Sequence, residues 1–500
     1  MNILAAVLPI LVVIVLMVGL RWSGHASGMA GWIVTLLAAT VVFGLTWDVW
    51  RVSQVKGLLL SLNVIAIIWP ALFLYEMVES MGGIQASADA LKLTIAKRGL
   101  LLIVVAWIFG GLLEGLSGFG IPIAIIAPLL VALGVAPLRA VAAAAVGHSW
   151  AVTFGNMGIV YQTLVSVVDI DSATLAPAAA FLLGCACLLC GIGAAFLLGE
   201  LRYWREVVFL AVWMGFIQYF AIAAGLSVMG SFLASLAGIA VAFVIGRGGE
   251  NQRKEWPENL KYALFSYGLL SLILTLITVV KPVSSVLSAI AWSRDFPAVE
   301  TMNGWITPAG PSIIIRPLTH PGTMILISAI LSWFYFKHTG QYNEDLLRTA
   351  LRKTWKAAYP PTLTVLFMVG LSTMMEHSGM TMLMARTLSG WMGETLPLVS
   401  PLIGMLGAFT TGSNNNSNVL FGPLQKNIAI LLGITPHILV ASQTCGGSLG
   451  SMIAPVKLAI GCSTVGLVGQ DGQVLRQTLP IGLLIGLIIG VITLAWLAIG

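Results

Sequence analysis

Charge is what this chain has least of. Of its 500 residues 25 are Lys or Arg and 19 are Asp or Glu, 9% together, where a soluble domain carries about 25%. A folded protein of this length in water has more surface than so few charges can cover, so a soluble protein with buried helices is excluded. Cysteine is scarce as well, at five residues. Cys185, Cys187 and Cys190 share one apolar run with no flanking His or carboxylate. Packing explains them better than a metal, and no metal site is expected. The six histidines, at 25, 148, 320, 338, 377 and 437, are scattered. Neither H-e-x-x-H nor G-x-S-x-G occurs in a usable context, so the chain does not read as a membrane enzyme.

What fills the space is hydrophobic. Apolar residues make up 58% of the chain and mean hydropathy is +0.97. Uncharged stretches run over 3–20, 26–47, 57–75, 115–138, 172–199, 207–246, 262–280, 321–336, 357–375, 395–425 and 477–500. A bilayer core of about 30 Å takes roughly 20 apolar residues per helix. The 207–246 run is long enough for two helices, with Gly225 to Gly230 as the turn. The chain is therefore expected to be an all-α polytopic membrane protein of roughly twelve to fourteen membrane segments, some not crossing fully. The first run has no basic residue before it, and Arg21-Trp22 rather than small residues after it, so it reads as a retained helix and not a signal peptide. The net charge of +6 suits the positive-inside rule and says nothing for nucleic acid, which is not expected as a partner. Lys337, Arg348, Arg352, Lys353 and Lys356 outnumber Glu344 and Asp345, so 337–356 is expected to be a basic cytoplasmic loop.

Two stretches resemble each other. Glu79-Ser80-Met81-Gly82 is followed later by Leu133-Gly134-Val135-Ala136-Pro137; Glu376-His377-Ser378-Gly379 is followed by Leu432-Gly433-Ile434-Thr435-Pro436. The offsets, Glu79 to Glu376 and Leu133 to Leu432, are 297 and 299 residues. Between the anchors each copy has an interrupted apolar run, Glu114 to Gly120 in one and Thr411 to Asn418 in the other. After the second anchor comes a broken helix, expected at Gly147–Gly158 and at Cys445–Gly450, the latter closing at Pro455. Paired interruptions are the sequence pointer to a transporter site. The expected architecture is two inverted repeats, each with a re-entrant hairpin (100–135 and 397–433) and a broken helix. The corresponding division is 1–56 as N-terminal scaffold helices, 57–170 as the first repeat, 171–336 as central scaffold helices, 337–356 as the loop, 357–470 as the second repeat and 471–500 as a C-terminal helix.

These breaks suit a small carboxylate. Half-helix N-termini offer free N–H groups and a positive field, glycines allow close backbone approach, and Ser and Asn add neutral donors. The residues expected to bind substrate are Ser117, Gly118, Gly120, His148, Ser149, Ser413, Asn414, Asn415, Asn416, Ser417, Asn418, Gly446, Gly447, Ser448 and Lys457. Glu114 lies between charge-free runs, and a carboxyl at membrane depth is expected to be protonated, paired or functional. It is expected either to carry a coupled proton or to cap the hairpin helix. His148 is either a second proton-coupling group or a structural histidine. Lys457 is expected to meet the substrate or Glu114, or to snorkel to an interface.

The same segments are similar to the lactate permease family. Leu112-Leu113-Glu114-Gly115-Leu116-Ser117-Gly118-Phe119-Gly120-Ile121-Pro122 resembles the family's F-L-E-G-A-A-G-F-G-A-P. Thr411-Gly412-Ser413, with Ser417-Asn418 and Leu420-Phe421, resembles T-G-S-D-T-S-S-N-A-L-F; Gly446-Gly447, Gly450, Met452-Ile453 and Pro455 resemble G-G-V-T-G-K-M-I-S-P. Gly466-Leu467-Val468-Gly469 and Leu475-Arg476 follow as in the family. The resemblance implies uptake or exchange of lactate, often glycolate too, in symport with protons across the plasma membrane. It also implies an elevator-like transport domain that carries both hairpins past a fixed scaffold. Three departures rearrange charge. The family's Asp is Asn414 here, its Lys is Ser451 with Lys457 six residues on, and its N-T-A-P break reads His148-Ser149-Trp150-Ala151.

The main alternative is a sodium-coupled carrier of a dicarboxylate or another organic anion, with the asparagine-rich tip holding the ion. Two inverted hairpins favour alternating access over a channel. No cofactor is expected, the drive being an ion gradient. The expected partners are the substrate, the bilayer and a further copy of the chain.

Overall fold

The computed structural model describes residues 3–20, 22–118, 120–246 and 255–499. It is helical nearly throughout. In chain order the helices are α1 (Ile3–Ile14), α2 (Gly24–Val41), α3 (Trp47–Ser80), α4 (Gly83–Thr94), α5 (Arg98–Ile103), α6 (Gly110–Leu116), α7 (Ile121–Ala132), α8 (Pro137–His148), α9 (Ile159–Val168), α10 (Ser172–Leu198) and α11 (Trp204–Ala223). There follow α12 (Gly230–Gly246), α13 (Leu260–Val279), α14 (Lys281–Ser288), α15 (Pro321–His338), α16 (Glu344–His377), α17 (Met380–Met392), α18 (Leu396–Thr411), α19 (Asn414–Leu432), α20 (Pro436–Gly450), α21 (Pro455–Thr464) and α22 (Asp471–Ile499). A π-helical stretch, Val104–Phe109, joins α5 to α6 into one arm. Among the described residues 11 helices are long and apolar enough to cross a membrane, or 12 if the bent pair α8–α9 is one span; Ile3–Met17 and Ile121–Ala132 are shorter apolar helices.

The repeat is longer than its sequence anchors. α2, α3 and α4 recur as α15, α16 and α17 at one offset of 297 residues (Gly24 to Pro321, Trp47 to Glu344, Gly83 to Met380). The α5–α6 arm and α7 recur as α18 and α19, and α8, α9 and α10 as α20, α21 and α22. Leaving out the α5–α6 arm, which is itself long and apolar enough to span but belongs to the first hairpin, the candidate crossings among the described elements between the start of α2 and the start of α15 are α2, α3, α8–α9, α10, α11, α12 and α13. With the hairpins not crossing, that number is odd, so the second copy is inverted.

The anchors are turn chemistry. Gly82 and Gly379 start α4 and α17 in the left-handed region, at φ 75° and 81°, where a side chain would be strained. Gly134 and Gly433 end the hairpins at φ 87° and 66°, and Pro137 and Pro436 then open α8 and α20 at the first helical position, where no N–H is needed.

Several expected boundaries move. The divisions at 56/57 and 356/357 fall inside single continuous helices, α3 and α16. Most of the expected loop 337–356 is helix: only 339–343 is a turn, and Glu344 onward is the start of α16, capped by Asn343. Cys445–Gly450 does not break. It stays helical to the end of α20, and the interruption is 451–454. The central segment is not helices alone, because two short antiparallel pairs, Trp292–Phe296 with Gly310–Ile315 and Val299–Glu300 with Ile306–Thr307, lie between α14 and α15. This strap ties helix ends together. Met302 N donates to Gly44 O (2.7 Å), Thr46 Oγ1 to Glu300 O (3.0 Å) and Thr307 Oγ1 to His377 O (3.2 Å). At the far ends of α3 and α16, Lys353 pairs with Glu79 at 2.8 Å and Glu76 at 3.8 Å.

The glycines of α20 serve packing. A Cβ on Gly446 would land on the Pro401 carbonyl of α18, and one on Gly447 would land on Asn414 Oδ1. The first copy does the same: a Cβ on Gly147 would land on the Ala106 carbonyl. Gly446→Ala is therefore expected to destabilise the protein by about 1–3 kcal/mol, the usual range for overpacking. It should lower the midpoint of thermal unfolding in detergent. Gly268→Ala, with nothing within 4 Å of its Cβ, should leave the midpoint unchanged or slightly raised.

Candidate functional site

Both repeats contribute to one cavity of about 630 Å³. Its wall includes Glu114 from the first hairpin, Val152 and Asn156 from the first helix break, Thr411 to Asn416 from the second hairpin, and Val456, Lys457 and Ile460 from α21. Met17, Trp22 to His25, Ile68 and the stretch Pro360, Pro361, Thr364 and Val365 close it from the first helices, α3 and α16.

Helix beginnings converge here. Ile159 and Val160 open α9, Asn414 to Asn416 open α19, and Val456 and Lys457 lie in the first turn of α21. None of these three helices has a side-chain cap. Apart from Ile159 N, which donates to Asn156 O, their first-turn N–H groups have no side-chain acceptor, and each helix start carries roughly half a positive charge. α2 also begins at the wall, with its Ser23 Oγ accepting from Ala26 N at 3.4 Å. The first break is strained as well. Asn156 and Met157 sit at φ 54° and 51°. Asn tolerates that region, whereas a buried Met costs on the order of 1–3 kcal/mol.

Lys457 stands out on electrostatic grounds. It is 6% exposed, and it places a positive charge at the positive end of a helix, the unfavourable end. Its Nζ donates to Ser451 Oγ at 3.1 Å. Among the described residues no carboxylate forms an ion pair with it, so the expected direct pairing with Glu114 is not made. Glu114 is 1% exposed and accepts no hydrogen bond among the described residues. The nearest ring nitrogen, His148 Nε2, is 4.0 Å from Glu114 Oε2, and both atoms lack hydrogen-bond partners. The His148 Nδ1 is engaged with the Ala144 carbonyl at 2.8 Å. Glu114 therefore does not cap a helix in this arrangement.

Beneath the cavity floor the two repeats are stitched together. Asn414 Nδ2 donates to Thr153 Oγ1 at 3.0 Å and to the Thr444 carbonyl at 3.3 Å. Thr153 Oγ1 donates to Thr444 O at 3.1 Å, and Asn418 Nδ2 donates to Thr444 Oγ1 at 3.0 Å. Ser448 Oγ donates to the Ser149 carbonyl at 2.5 Å. Ser417 Oγ donates to Gly404 O at 2.8 Å.

Of the residues expected from the sequence, the cavity brings together Glu114, Ser413, Asn414, Asn415, Asn416 and Lys457. His148, Ser149, Ser417, Asn418, Gly446, Gly447 and Ser448 are buried behind it. Ser117, Gly118 and Gly120 form the first hairpin tip off the wall, Gly120 meeting the side chain of Ile460. Phe119, quoted in the first motif, lies outside the described residues. Sequence reasoning missed Asn156, His25 and Thr364 at the wall and Thr153 and Thr444 beneath it. A usable signal existed only for Asn156, a polar residue between Gly155 and Gly158 in an apolar run.

A family model described as L-lactate permease matches residues 2–499. Glycolate permease GlcA of Escherichia coli (strain K12) is 27% identical over 543 residues, covering 99% of this chain and 95% of its own length. An L-lactate permease of Bacillus subtilis (strain 168) is also 27% identical, with 99% and 95% covered. Among solved structures, the Alcanivorax borkumensis YdaH transporter aligns with a TM-score of 0.50 at 17% identity, over 88% of this chain and 86% of its own. That likeness is one of fold.

The geometry makes a prediction about access. Val456 is 59% exposed and Ser413 half-buried, whereas Ser417 and Ser117 are 0% and 1% exposed. In a Cys185→Ser background, single cysteines at Val456 and Ser413 should react with a small thiol reagent. Cysteines at Ser417 and Ser117 should stay silent. The reverse pattern would place the water-accessible surface elsewhere.

Proposed function

The chain belongs to the L-lactate permease family, and from that premise we propose that it carries lactate or glycolate across the membrane together with protons, by alternating access. The work is transport, and no bond of the substrate is made or broken. The observation that carries the reading is Lys457, a buried cation at a helix start, facing a cavity where two further uncapped helix starts converge. A carboxylate seated there supplies the missing negative charge and takes the free N–H groups of α19 and α21. Ser413, Asn415 and Asn416 add neutral donors, which keeps binding reversible. Glu114 carries the proton, with His148 at 4.0 Å as the group to which it is handed. The two hairpins move with the site while α3 and α16 stay fixed.

A second reading, a sodium-coupled carrier of a dicarboxylate or other organic anion, draws on Asn414 Oδ1 and Asn418 Oδ1, buried carbonyl oxygens that accept no hydrogen bond. Uptake of radiolabelled lactate and glycolate into proteoliposomes separates the two. Accumulation driven by an inward proton gradient in sodium-free buffer supports the proton carrier; accumulation that follows sodium and ignores pH supports the second.

Two substitutions test the roles. Glu114→Gln keeps the size and one acceptor but cannot titrate. It is expected to abolish proton-driven accumulation and to spare exchange of internal for external substrate. Normal accumulation by a well-expressed Glu114→Gln protein would end the carrier role. Lys457→Gln removes a charge-assisted hydrogen bond, and the apparent affinity for lactate is expected to fall about tenfold or more.

A further inference from the structure

We infer that the cavity accepts a wider class than lactate and glycolate: 2-hydroxy monocarboxylates whose side chain is a propyl or isobutyl group. The inference rests on the carboxylate being seated at Lys457, as proposed above, and adds what the remaining wall can hold.

Three features converge on that chemistry. Among the described residues the wall includes one Lys and no Arg, with His25 its other basic side chain, so Lys457 offers a seat for one carboxylate. A second carboxylate would share the space with Glu114. The wall also has acceptors without donors. Glu114 accepts no hydrogen bond among the described residues, and Asn156 Oδ1 and Asn415 Oδ1 are buried without partners. A hydroxyl beside the carboxylate can donate to one of them. An acid that lacks it leaves them as they are, and a site built to bond a hydroxyl discriminates strongly against such an analogue. The rest of the wall is apolar: Ile68, Ile159, Val160, Val365, Ile460 and the Pro360-Pro361 pair.

Size decides the last point. At about 30 Å³ per water, a cavity of about 630 Å³ has room for roughly twenty waters. Lactate or glycolate fills a small part of that and leaves the isoleucine and valine side chains facing water. Each methylene laid on those side chains should tighten binding about fourfold.

The test uses the full-length protein, first in detergent and then in proteoliposomes. Thermal stabilisation is read with glycolate, lactate, 2-hydroxyisocaproate, 4-methylpentanoate and malate as probes. Inhibition of radiolabelled lactate counterflow is then read with the same panel. The expected order is 2-hydroxyisocaproate tightest, at least tenfold below lactate in inhibition constant, with glycolate weaker than lactate. 4-Methylpentanoate, which has the same skeleton without the hydroxyl, should be at least tenfold weaker than 2-hydroxyisocaproate, and malate should not stabilise. Val456→Phe, which fills the cavity, should cost 2-hydroxyisocaproate at least tenfold more than it costs lactate. If 2-hydroxyisocaproate binds more weakly than lactate, or 4-methylpentanoate binds as well as 2-hydroxyisocaproate, the inference is overturned while lactate transport stands. If lactate is not transported but the stabilisation order holds, the inference is supported and the transport reading fails.

Discussion

A peptide group in hydrocarbon must find its partner inside the protein, and in this chain the first break is tied to the second hairpin and to α20. Thr153, from the first break, donates to the carbonyl of Thr444 in the second copy, and Asn414 bridges the two. Ser448 closes on the carbonyl of Ser149. These bonds take up the Thr153 hydroxyl and the Ser149 carbonyl of the first break at membrane depth. With them, helices can stop and restart inside the protein, and every other feature of the site follows from those stops.

A helix that starts in the middle of a membrane protein brings a positive end and free N–H groups with it. Three such ends, together with Lys457, give one side of the cavity a positive character. Glu114 is the carboxyl on the wall among the described residues, and it makes no ion pair with Lys457. The two therefore remain available to a third group. The left-handed turn at Asn156 and Met157 belongs to the same economy of structure, since it turns the chain sharply enough to begin α9 at the cavity wall.

How much of this was legible depends on which physical demand wrote each residue. The lack of charge marks a membrane protein because nothing else tolerates it. The hairpin tips were readable because Gly412-Ser413 and Gly118 interrupt long apolar runs. The repeat anchors were readable because Gly82, Gly379, Gly134 and Gly433 all need positive φ. The outer elements of the repeat, α2 with α15 and α10 with α22, were invisible: their match lies in length and place, since many apolar sequences build the same span. The expected break at Cys445–Gly450 shows the limit most clearly. Small residues mark both a break and a close helix crossing, and Gly446 answers to the second demand by lying against the Pro401 carbonyl. The real break, Ser451 to Ala454, carries little signal beyond Pro455. Thr444 escaped notice because a threonine inside a helix commonly bonds its own backbone. That His148, Ser417 and Asn418 lie behind the cavity and not on its wall was not legible, because a sequence does not say which face of a helix meets the cavity.

The separation of the two partners along the chain sets a condition on biogenesis. Thr153 and Thr444 are 291 residues apart. At a synthesis rate of about 5–20 residues per second, roughly 15 to 60 s pass between the making of the first break and the arrival of its partner. During that interval the Thr153 hydroxyl and the Ser149 carbonyl are without their partners from the second repeat. The nascent half must be held by water or by the insertion machinery until the second half arrives, so synthesis rate and insertion are coupled to folding in a way that the finished structure no longer displays.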